Sequence, residues 1–298
     1  MKLSHESKVR LGVGIGAFVL IVGLVFGASR TLIHFDGPWD LGNIASGLSG
    51  RDDAVDADVL NDGGKYSAQP QQLSSATFDA DEFRYLDFDI NAASVDVKVV
   101  DGNKARVIER GRVAEGMDAS KAATQNIASV EDSTLKVSRS GSDDGKTIDR
   151  SVTVELPRRV AEHLKGINAH VGSGDLQIAG VICDGLDLFL GAGDVEFTGS
   201  VTDALSAEVG SGDVTFELYQ APAKSMDVSV DSGDVEITVP NSTGFTASLT
   251  VGSGDFESDF LPLGYDGETI LNSEFDNGDK SATYRFEIGS GDMSFDSE

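Results

Sequence analysis

Apolar and polar residues alternate with a period of two along much of the chain after residue 83. The alternation is most regular between residues 167 and 295, where short runs are separated by glycine-rich turns. In one run Leu205, Ala207 and Val209 are apolar, and polar residues separate them. Side chains in a β-strand point alternately to opposite faces, so the pattern predicts strands with one buried face.

A four-residue corner recurs between these runs. Its usual form is Gly-Ser-Gly-Asp, as in VGSGDLQI at 171–178 and VGSGDVTF at 209–216. The six corner aspartates follow one another at intervals of 19, 19, 21, 21 and 37 residues. A unit of about twenty residues cannot cover its own apolar face, so successive units must stack. The sequence predicts an all-β fold, a single-stranded β-solenoid (a flattened parallel β-helix) of about 20-residue coils. Each coil would pair with the next, and a longer or degenerate coil near 277–279 would fill the last interval.

The corner glycines are candidates for a structural role. Glycine adopts positive φ without strain, and it leaves room where stacked turns approach closely. The structural corner positions are Gly172, Gly174, Gly191, Gly193, Gly210, Gly212, Gly233, Gly252, Gly254, Gly289 and Gly291.

The corner aspartates allow two interpretations. In the first, each carboxylate accepts hydrogen bonds from backbone N–H groups of its own turn. In the second, the stacked carboxylates bind Ca²⁺, which prefers oxygen ligands. Asp231 replaces a glycine in the fourth corner and would add a carboxylate there. The Ca²⁺ candidates are Asp175, Asp194, Asp213, Asp231, Asp234, Asp255 and Asp292.

The pattern is looser in residues 73–157. A short helix is predicted over 120–129. We expect this region to cap the N-terminal end of the solenoid, because uncovered strand edges promote aggregation. At the other end, Asp296 and Glu298 would protect the last strand by their charge. The strands predicted in this region cover 83–90, 95–100, 106–110, 135–139 and 151–156.

A long uncharged segment lies near the N-terminus. Leu11–Ala28 has 18 residues without a charge, which as a helix would measure about 27 Å, close to the bilayer core of about 30 Å. Basic residues Lys2, Lys8 and Arg10 precede it, which favours a cytoplasmic N-terminus. The segment predicts a single-pass transmembrane helix, and a cleaved signal peptide is the alternative.

These segments give a predicted organisation along the chain. The part after the membrane would be extracytoplasmic, at the plasma membrane. The linker is assigned from its Gly, Asp, Ala and Ser content and its lack of periodicity. The predicted segments are a cytoplasmic N-terminus at 1–10, a transmembrane helix at 11–28, a flexible acidic linker at 29–72, an N-terminal β region at 73–157 and a GSGD-repeat β-solenoid at 158–298.

Charge and composition exclude several classes of function. The formal net charge is −27, so nucleic acid is excluded as a partner, whereas cations and cationic peptides would be attracted. The single cysteine, Cys183, follows an apolar residue and is interpreted as a core residue rather than a reactive thiol.

Catalytic motifs are missing from the sequence. His5, His34, His163 and His170 lack the spacing of a zinc site, and the glycine corners differ from both nucleophile elbows and phosphate loops. We therefore predict that the protein is not an enzyme and needs no cofactor. A glycan-cleaving β-helix with a carboxylate pair is the enzymatic alternative.

Several segments together resemble one bacterial family. The N-terminal anchor, the early FDI and VDVKVV strands, the VTVELP strand and the repeated GSGDV corners are similar to the DUF4097 family of adhesin-like β-strand repeat proteins, over about residues 83–298. The resemblance implies a β-solenoid, association with the cell envelope and, in some members, a link to envelope-stress systems. It implies no catalytic residues.

The predicted function follows from the anchor, the repeats and this resemblance. We expect a membrane-anchored, extracytoplasmic, non-enzymatic module for adhesion, binding or envelope-stress sensing. Its partners would be the membrane, through Leu11–Ala28, and an envelope protein, a wall polymer or a cationic peptide. The alternative from another class is a self-associating structural spacer.

Overall fold

The alternating runs form strands in the computed structural model of the chain, and the alternation matches the burial. Leu205, Ala207 and Val209 are at most 3% exposed, whereas Ser206 and Glu208 between them face solvent. The structure describes residues 65–139, 146–260 and 273–298, with side chains at 273–275 excluded. The predicted transmembrane helix and residues 29–64 of the predicted linker lie outside these ranges. Inside them, no helix combines the length and apolar character needed to cross a membrane.

Within the described ranges, 18 strands form one continuous sheet that does not close on itself. Helical structure is confined there to helix α1 (Arg158–Ala161) and a 3-10 turn at Ala119–Lys121. The strands are β1 (Gln71–Asp79), β2 (Tyr85–Ala92), β3 (Ser94–Val100), β4 (Lys104–Val113), β5 (Ala128–Glu131), β6 (Thr134–Arg139), β7 (Thr147–Pro157), β8 (Leu164–Ser173), β9 (Leu176–Ala192), β10 (Val195–Ser211), β11 (Val214–Gln220), β12 (Ser225–Ser232), β13 (Val235–Val239), β14 (Phe245–Ser253), β15 (Phe256–Ser258), β16 (Ser273–Asn277), β17 (Ala282–Ser290) and β18 (Met293–Ser297).

The strands lie on two faces joined at the glycine corners. Neighbouring coils pair in parallel, so that Leu176 lies beside Val195 and Val195 beside Val214, 19 residues apart at each step. The front face consists of the parallel strands β6, β2, β8, the second half of β9, the second half of β10, β12, β17 and β14. The back face consists of β7, β3, the first half of β9, the first half of β10, β11, β13, β18 and β15.

Both faces direct their apolar side chains into one core between them. Residues from the two faces belong to the same buried cluster. The rings of Phe245, on the front face, and Phe295, on the back face, have centroids 5.3 Å apart. The all-β, solenoid-like architecture predicted from the sequence is confirmed.

The last coil of the chain occupies an internal position in the stack. Strand β17 pairs with β12 on one side, through Tyr284 and Met226, and with β14 on the other, through Tyr284 and Ala247. Strand β18 likewise lies between β13 and β15. The prediction that each coil pairs with the next in sequence is therefore wrong at this end. The order follows from packing, since the rings of Tyr284 and Phe245 stack 5.1 Å apart across the β17–β14 pair.

The interval before the last corner also differs from the prediction. It contains no additional parallel coil among its described residues, because β16 runs antiparallel to β14 along its outer side. Asp296 does not lie at an edge, since its strand β18 has neighbours on both sides. The predicted role of Asp296 and Glu298 as guards of a terminal strand is wrong for this reason.

Antiparallel strands also lie at the N-terminal end of the stack. The β2–β3 coil is inserted between β6–β7 and β8–β9. Beyond β7 come β4 and then β1, and beyond β6 comes β5. Strand β1 begins at Gln71, inside the segment predicted as linker.

The helix predicted over 120–129 is wrong. Only the 3-10 turn forms there, and β5 begins at Ala128. The carboxylate of Asp118 accepts the N–H of Ser120 at the start of this turn. The backbone N–H of Thr124 donates to the carboxylate of Glu109 instead of to a helical carbonyl.

The internal position of the last coil predicts a pattern of amide exchange. Strand β18 is hydrogen-bonded on both sides, whereas the described partners of β15 lie on one side only. We therefore expect the amides of 293–297 to exchange more slowly than those of 256–258, in hydrogen–deuterium exchange of the full-length protein followed by mass spectrometry. Residues 235–239 of β13, also paired on both sides, are the control and should match β18. Faster exchange in β18 than in β15 would contradict the inserted order.

Candidate functional site

The corners bring backbone atoms of successive coils into unusually close contact. The third residue of each corner has φ between 121° and 139°, a region that favours glycine. A Cβ atom added at Gly212 would overlap the carbonyl oxygen of Gly193 in the preceding coil. At the first corner position, a Cβ on Gly210 would lie 2.6 Å from the carbonyl oxygen of Gly191. Both the conformation and the space therefore require glycine at the third position of the corner.

The corner aspartates form a column of hydrogen bonds that we call the aspartate column. Five of the six carboxylates accept the backbone N–H of the corner aspartate in the next coil, whereas the first interpretation of the sequence placed the donor in the same turn. The N–H to Oδ1 pairs are Asp194 to Asp175 at 3.3 Å, Asp213 to Asp194 at 3.2 Å, Asp234 to Asp213 at 3.0 Å, Asp292 to Asp234 at 2.9 Å and Asp255 to Asp292 at 2.9 Å.

The column sets like charges near one another. Burial raises the pKa of Asp213, the N–H of Asp234 lowers it, and the negative charges of Asp194 and Asp234 raise it again, for a net upward shift. In the part of the chain that the structure describes, no three His, Cys, Asp or Glu side chains are grouped to hold a metal ion. Asp231, the additional Ca²⁺ candidate, is exposed at the first position of its corner.

Another perturbed carboxylate lies on the back face. The Oδ1 atom of Asp296 accepts the backbone N–H of Asp259 at 3.2 Å. Burial is the main cause that raises the pKa of Asp296 to about 6, and the charges of Asp259, Glu257 and Glu236 add to the shift.

The structure places the other candidate residues apart from one another. Cys183 is 1% exposed, and burial raises the pKa of its thiol to about 12, so it is a core residue and a poor nucleophile. His163 and His170 are both exposed. The ring of His170 stacks on that of Phe189, with centroids 4.6 Å apart and planes 7° from parallel.

A groove of about 710 Å³ crosses the front face at the start of its strands, and we call it the front groove. Its floor consists of small residues that are neighbours in register on β8, β9, β10 and β12, namely Gly166, Gly185, Ala204 and Ser225. Tyr85 on β2 is the register neighbour of Gly166, and the residue is 45% exposed. Because the floor residues project little or nothing above the sheet, the groove is open along the stacking direction.

A row of polar residues borders this floor, two residues further along each strand. It consists of Lys136, Asp87, Asn168, Asp187, Ser206 and Asp227. The amide Nδ2 of Asn168 donates to Oδ1 of Asp87 at 2.9 Å. Within the described part of the chain, the side chains of Asp187 and Ser206 form no hydrogen bond or ion pair. The middle of the row therefore has unused hydrogen-bonding capacity.

The charged residue that comes directly before each floor residue in the sequence forms an ion pair with its counterpart in a neighbouring coil. Lys165 Nζ lies 2.7 Å from Asp184 Oδ2, and Lys224 Nζ lies 2.6 Å from Asp203 Oδ2. The hydroxyl of Thr202 also donates to Asp184. Exposed pairs of this kind contribute little stability, but they limit the positions of the four charged side chains beside the groove.

Sequence reasoning did not single out a buried charged cluster in the N-terminal β region. Glu109 is fully buried and accepts hydrogen bonds from Arg150 at 2.6 Å, from the hydroxyl of Thr124 at 2.6 Å and from that of Ser74 at 2.9 Å. The signal was available, because Glu109 shares the strand parity of the buried Ala105, Val107 and Val113. Removing one partner of such a buried pair costs about 3–5 kcal/mol, so this cluster is structural.

The family model described as Toastrack DUF4097 matches residues 79–296. This chain belongs to that family. The match spans both faces of the DUF4097 stack, including the inserted last coil and the residues of the front groove. Comparison with curated proteins found no match.

Solved structures similar to this DUF4097 chain share little sequence with it. One is a "putative cell adhesion protein" from Clostridium sporogenes, with 14% identity and a TM-score of 0.45, covering 77% of this chain and 100% of that one. Another is a "putative adhesin" from Bacteroides fragilis, with 16% identity and a TM-score of 0.43, covering 77% and 98%. A third is a "putative lipid binding protein" from Parabacteroides distasonis, with 11% identity and a TM-score of 0.28, covering 78% and 98%.

The corner contacts predict a large effect of a single methyl group. Gly212→Ala would combine an unfavourable φ, costing about 1–3 kcal/mol, with a clash against Gly193, costing about 1–3 kcal/mol more. We therefore expect Gly212→Ala to lower the free energy of unfolding, measured by urea unfolding of the full-length protein. Gly102→Ala is the matched control, because Gly102 has a φ of 127° but no atom within 4 Å of an added Cβ. Equal losses of unfolding free energy in the two variants would show that the contact with Gly193 is not the reason why position 212 requires glycine.

The carboxyl of Asp296 predicts a pH-dependent stability. Its pKa is about 6 in the folded protein against an ordinary 3.8, so the folded state holds this proton more tightly than the unfolded chain does. The resulting stabilisation is complete below pH 3.8 and is lost as the pH rises through about 6. Asp296→Asn keeps the acceptor oxygen without the charge. The full pKa difference would correspond to about 3 kcal/mol, but solvent screens this partly exposed carboxyl, so above that range the variant should be more stable than the wild type by about 1–2 kcal/mol.

The measurement is urea unfolding of both proteins across the acidic and neutral range. The difference should approach zero below pH 3.8, where both side chains are neutral. Asp101→Asn is the control, since the Asp101 side chain is 98% exposed, and it should show no such difference. A variant that is less stable than the wild type at neutral pH would show that the charged form of Asp296 is favourable.

Proposed function

We propose that this DUF4097 protein is a non-enzymatic adhesion or binding module that is held at the outer side of the plasma membrane. The observation that carries the proposal is the front face, a parallel sheet with exposed side chains in rows at the coil spacing of about 4.8 Å. The front groove crosses six of its strands and is open to solvent. Repetitive faces of stacked coils suit extended contacts with elongated partners.

The chemistry of the described residues supports a binding role over catalysis. The thiol of Cys183 is buried and its pKa is raised, which disfavours a reactive thiolate. The two described histidines are exposed at separate places, and His170 is stacked on Phe189. In the aspartate column, each of the five carboxylates before the last accepts an N–H from the next coil, which gives these groups a role in joining coils.

The membrane part of the proposal rests on the sequence. Leu11–Ala28 is uncharged and long enough for one membrane crossing, and basic residues precede it. Strands β9 to β13 pair at a register of 19 to 21 residues, which supports a β-solenoid, and we propose that this solenoid is displayed outside. The high negative charge would keep such a displayed domain soluble.

The proposal predicts the orientation of the full-length protein. A C-terminal epitope tag should be removed when protease is added to intact spheroplasts, because the stack would lie outside the membrane. Mass spectrometry should find Met1 in the membrane-bound protein if Leu11–Ala28 is retained as the anchor. Replacing Lys2, Lys8 and Arg10 by Glu is expected to weaken this orientation, since basic residues hold the N-terminus inside. A tag that is cut only after lysis would refute the proposed display.

A further inference from the structure

The charge around the front groove differs from that of the chain as a whole. Only six basic residues occur in 158–298, and Lys165, Lys224 and Arg285 lie beside this groove. Each lies within 4 Å of an acidic partner, and Lys136 pairs with Glu131 at 2.8 Å. The residues that line the groove or pair beside it comprise six acidic and four basic groups, a net charge of 4 − 6 = −2, although the chain carries −27. A neutral polar ligand fits such a surface better than a strongly cationic one, which would find more negative charge elsewhere.

The middle of the groove offers hydrogen-bonding groups that no described residue uses. Asp187 and Ser206 are register neighbours on β9 and β10, and both are exposed. Asn168 is the other neighbour of Asp187, and its Nδ2 donates to Asp87, which leaves its amide oxygen as a further acceptor. These acceptor oxygens are held by a rigid parallel sheet, so little ordering would be required on binding. The matching ligand carries several hydroxyl donors.

Aromatic surface lies beside these acceptors. Tyr85 is 45% exposed, and its Cδ1 atom lies 3.2 Å from the position of a Cβ on Gly166, so the ring extends over the glycine floor. Phe189 is 38% exposed two residues beyond Asp187 and is held by its stack on His170. An exposed ring offers an apolar surface with a polar rim, which suits a ligand that is apolar on one side and polar on the other. A pyranose ring has an apolar C–H face and a hydroxyl-bearing edge.

We infer that the front groove binds a linear, uncharged oligosaccharide, with Tyr85 stacking on a sugar ring and Asp187 and Ser206 hydrogen-bonding to hydroxyl groups. The inference rests on the proposed binding function and names its site and its ligand class. Six front-face strands from β6 to β12 border the groove, which makes it about 24 Å long at a spacing of 4.8 Å. An elongated chain of sugars therefore fits it better than a monosaccharide.

The test is calorimetric titration of the full-length protein, in a detergent without a sugar headgroup, with cellotetraose, chitotetraose and maltotetraose. At least one tetrasaccharide should bind, more tightly than its monosaccharide and equally at low and high salt. Tyr85→Ala and Asp187→Ala should each lower the affinity about tenfold, as expected for the loss of one ring contact or one charged hydrogen bond. Matched controls are Tyr219→Ala and Asp231→Ala, exposed residues outside the groove that should bind like the wild type.

Three results would overturn the assignment. They are no binding of any of the three tetrasaccharides, binding that Tyr85→Ala and Asp187→Ala leave unchanged, and binding of a polylysine peptide alone with steep salt dependence. The titration examines the groove, whereas the protease assay examines membrane display, so the two proposals can fail separately. Release of reducing ends during the titration would contradict the non-enzymatic function and would leave the binding site in place.

Discussion

The whole stack depends on the contact between one glycine corner and the next. At each step the N–H of the third corner residue donates to a serine or alanine carbonyl one coil further on, as from Gly212 to Ser232 at 3.0 Å. A side chain at Gly212 would occupy the space of the Gly193 carbonyl. This contact fixes the register on both faces at once, and a slip of one residue would turn the apolar side chains outward. The core, the aspartate column and the front groove all follow from that register.

The sequence was sufficient to predict the strands and the stacking, because both arise from local patterns. Alternation marks the buried positions, and the corner marks each turn. The position of the last coil could not be predicted in this way, since the corners are nearly alike and any coil can pair with any other through its backbone. Tyr284 and Phe295 distinguish that coil, and their contacts with Phe245 depend on tertiary structure. The strand parity of Glu109 indicates that it is buried, but its partners Ser74 and Arg150 are distant in sequence and could be identified only from the fold.

The floor of the front groove has a signature in the repeats. Gly166, Gly185, Ala204 and Ser225 each precede a corner aspartate by nine residues, so aligned repeats would have revealed a row of small residues. The sequence alone gives no indication that Tyr85 borders this row. Tyr85 lies in β2, and strands β3 to β7 separate β2 from β8 along the chain, so the two strands become neighbours only in the fold. The ion pairs beside the groove, such as Lys165 with Asp184, likewise join residues of successive coils.

The internal position of the β17–β18 coil has a consequence for how the protein is made. Synthesis proceeds from the N-terminus, so the β14–β15 coil emerges before the coil that separates it from β12–β13. The stack cannot grow in the order of translation at this end, because its layer order is complete only after strands β17 and β18 have been synthesised. Until then the edge of β12–β13 is exposed to incorrect pairing with a neighbouring coil of similar sequence. Synthesis of the β17–β18 coil is thus the event that commits this part of the array to its native order.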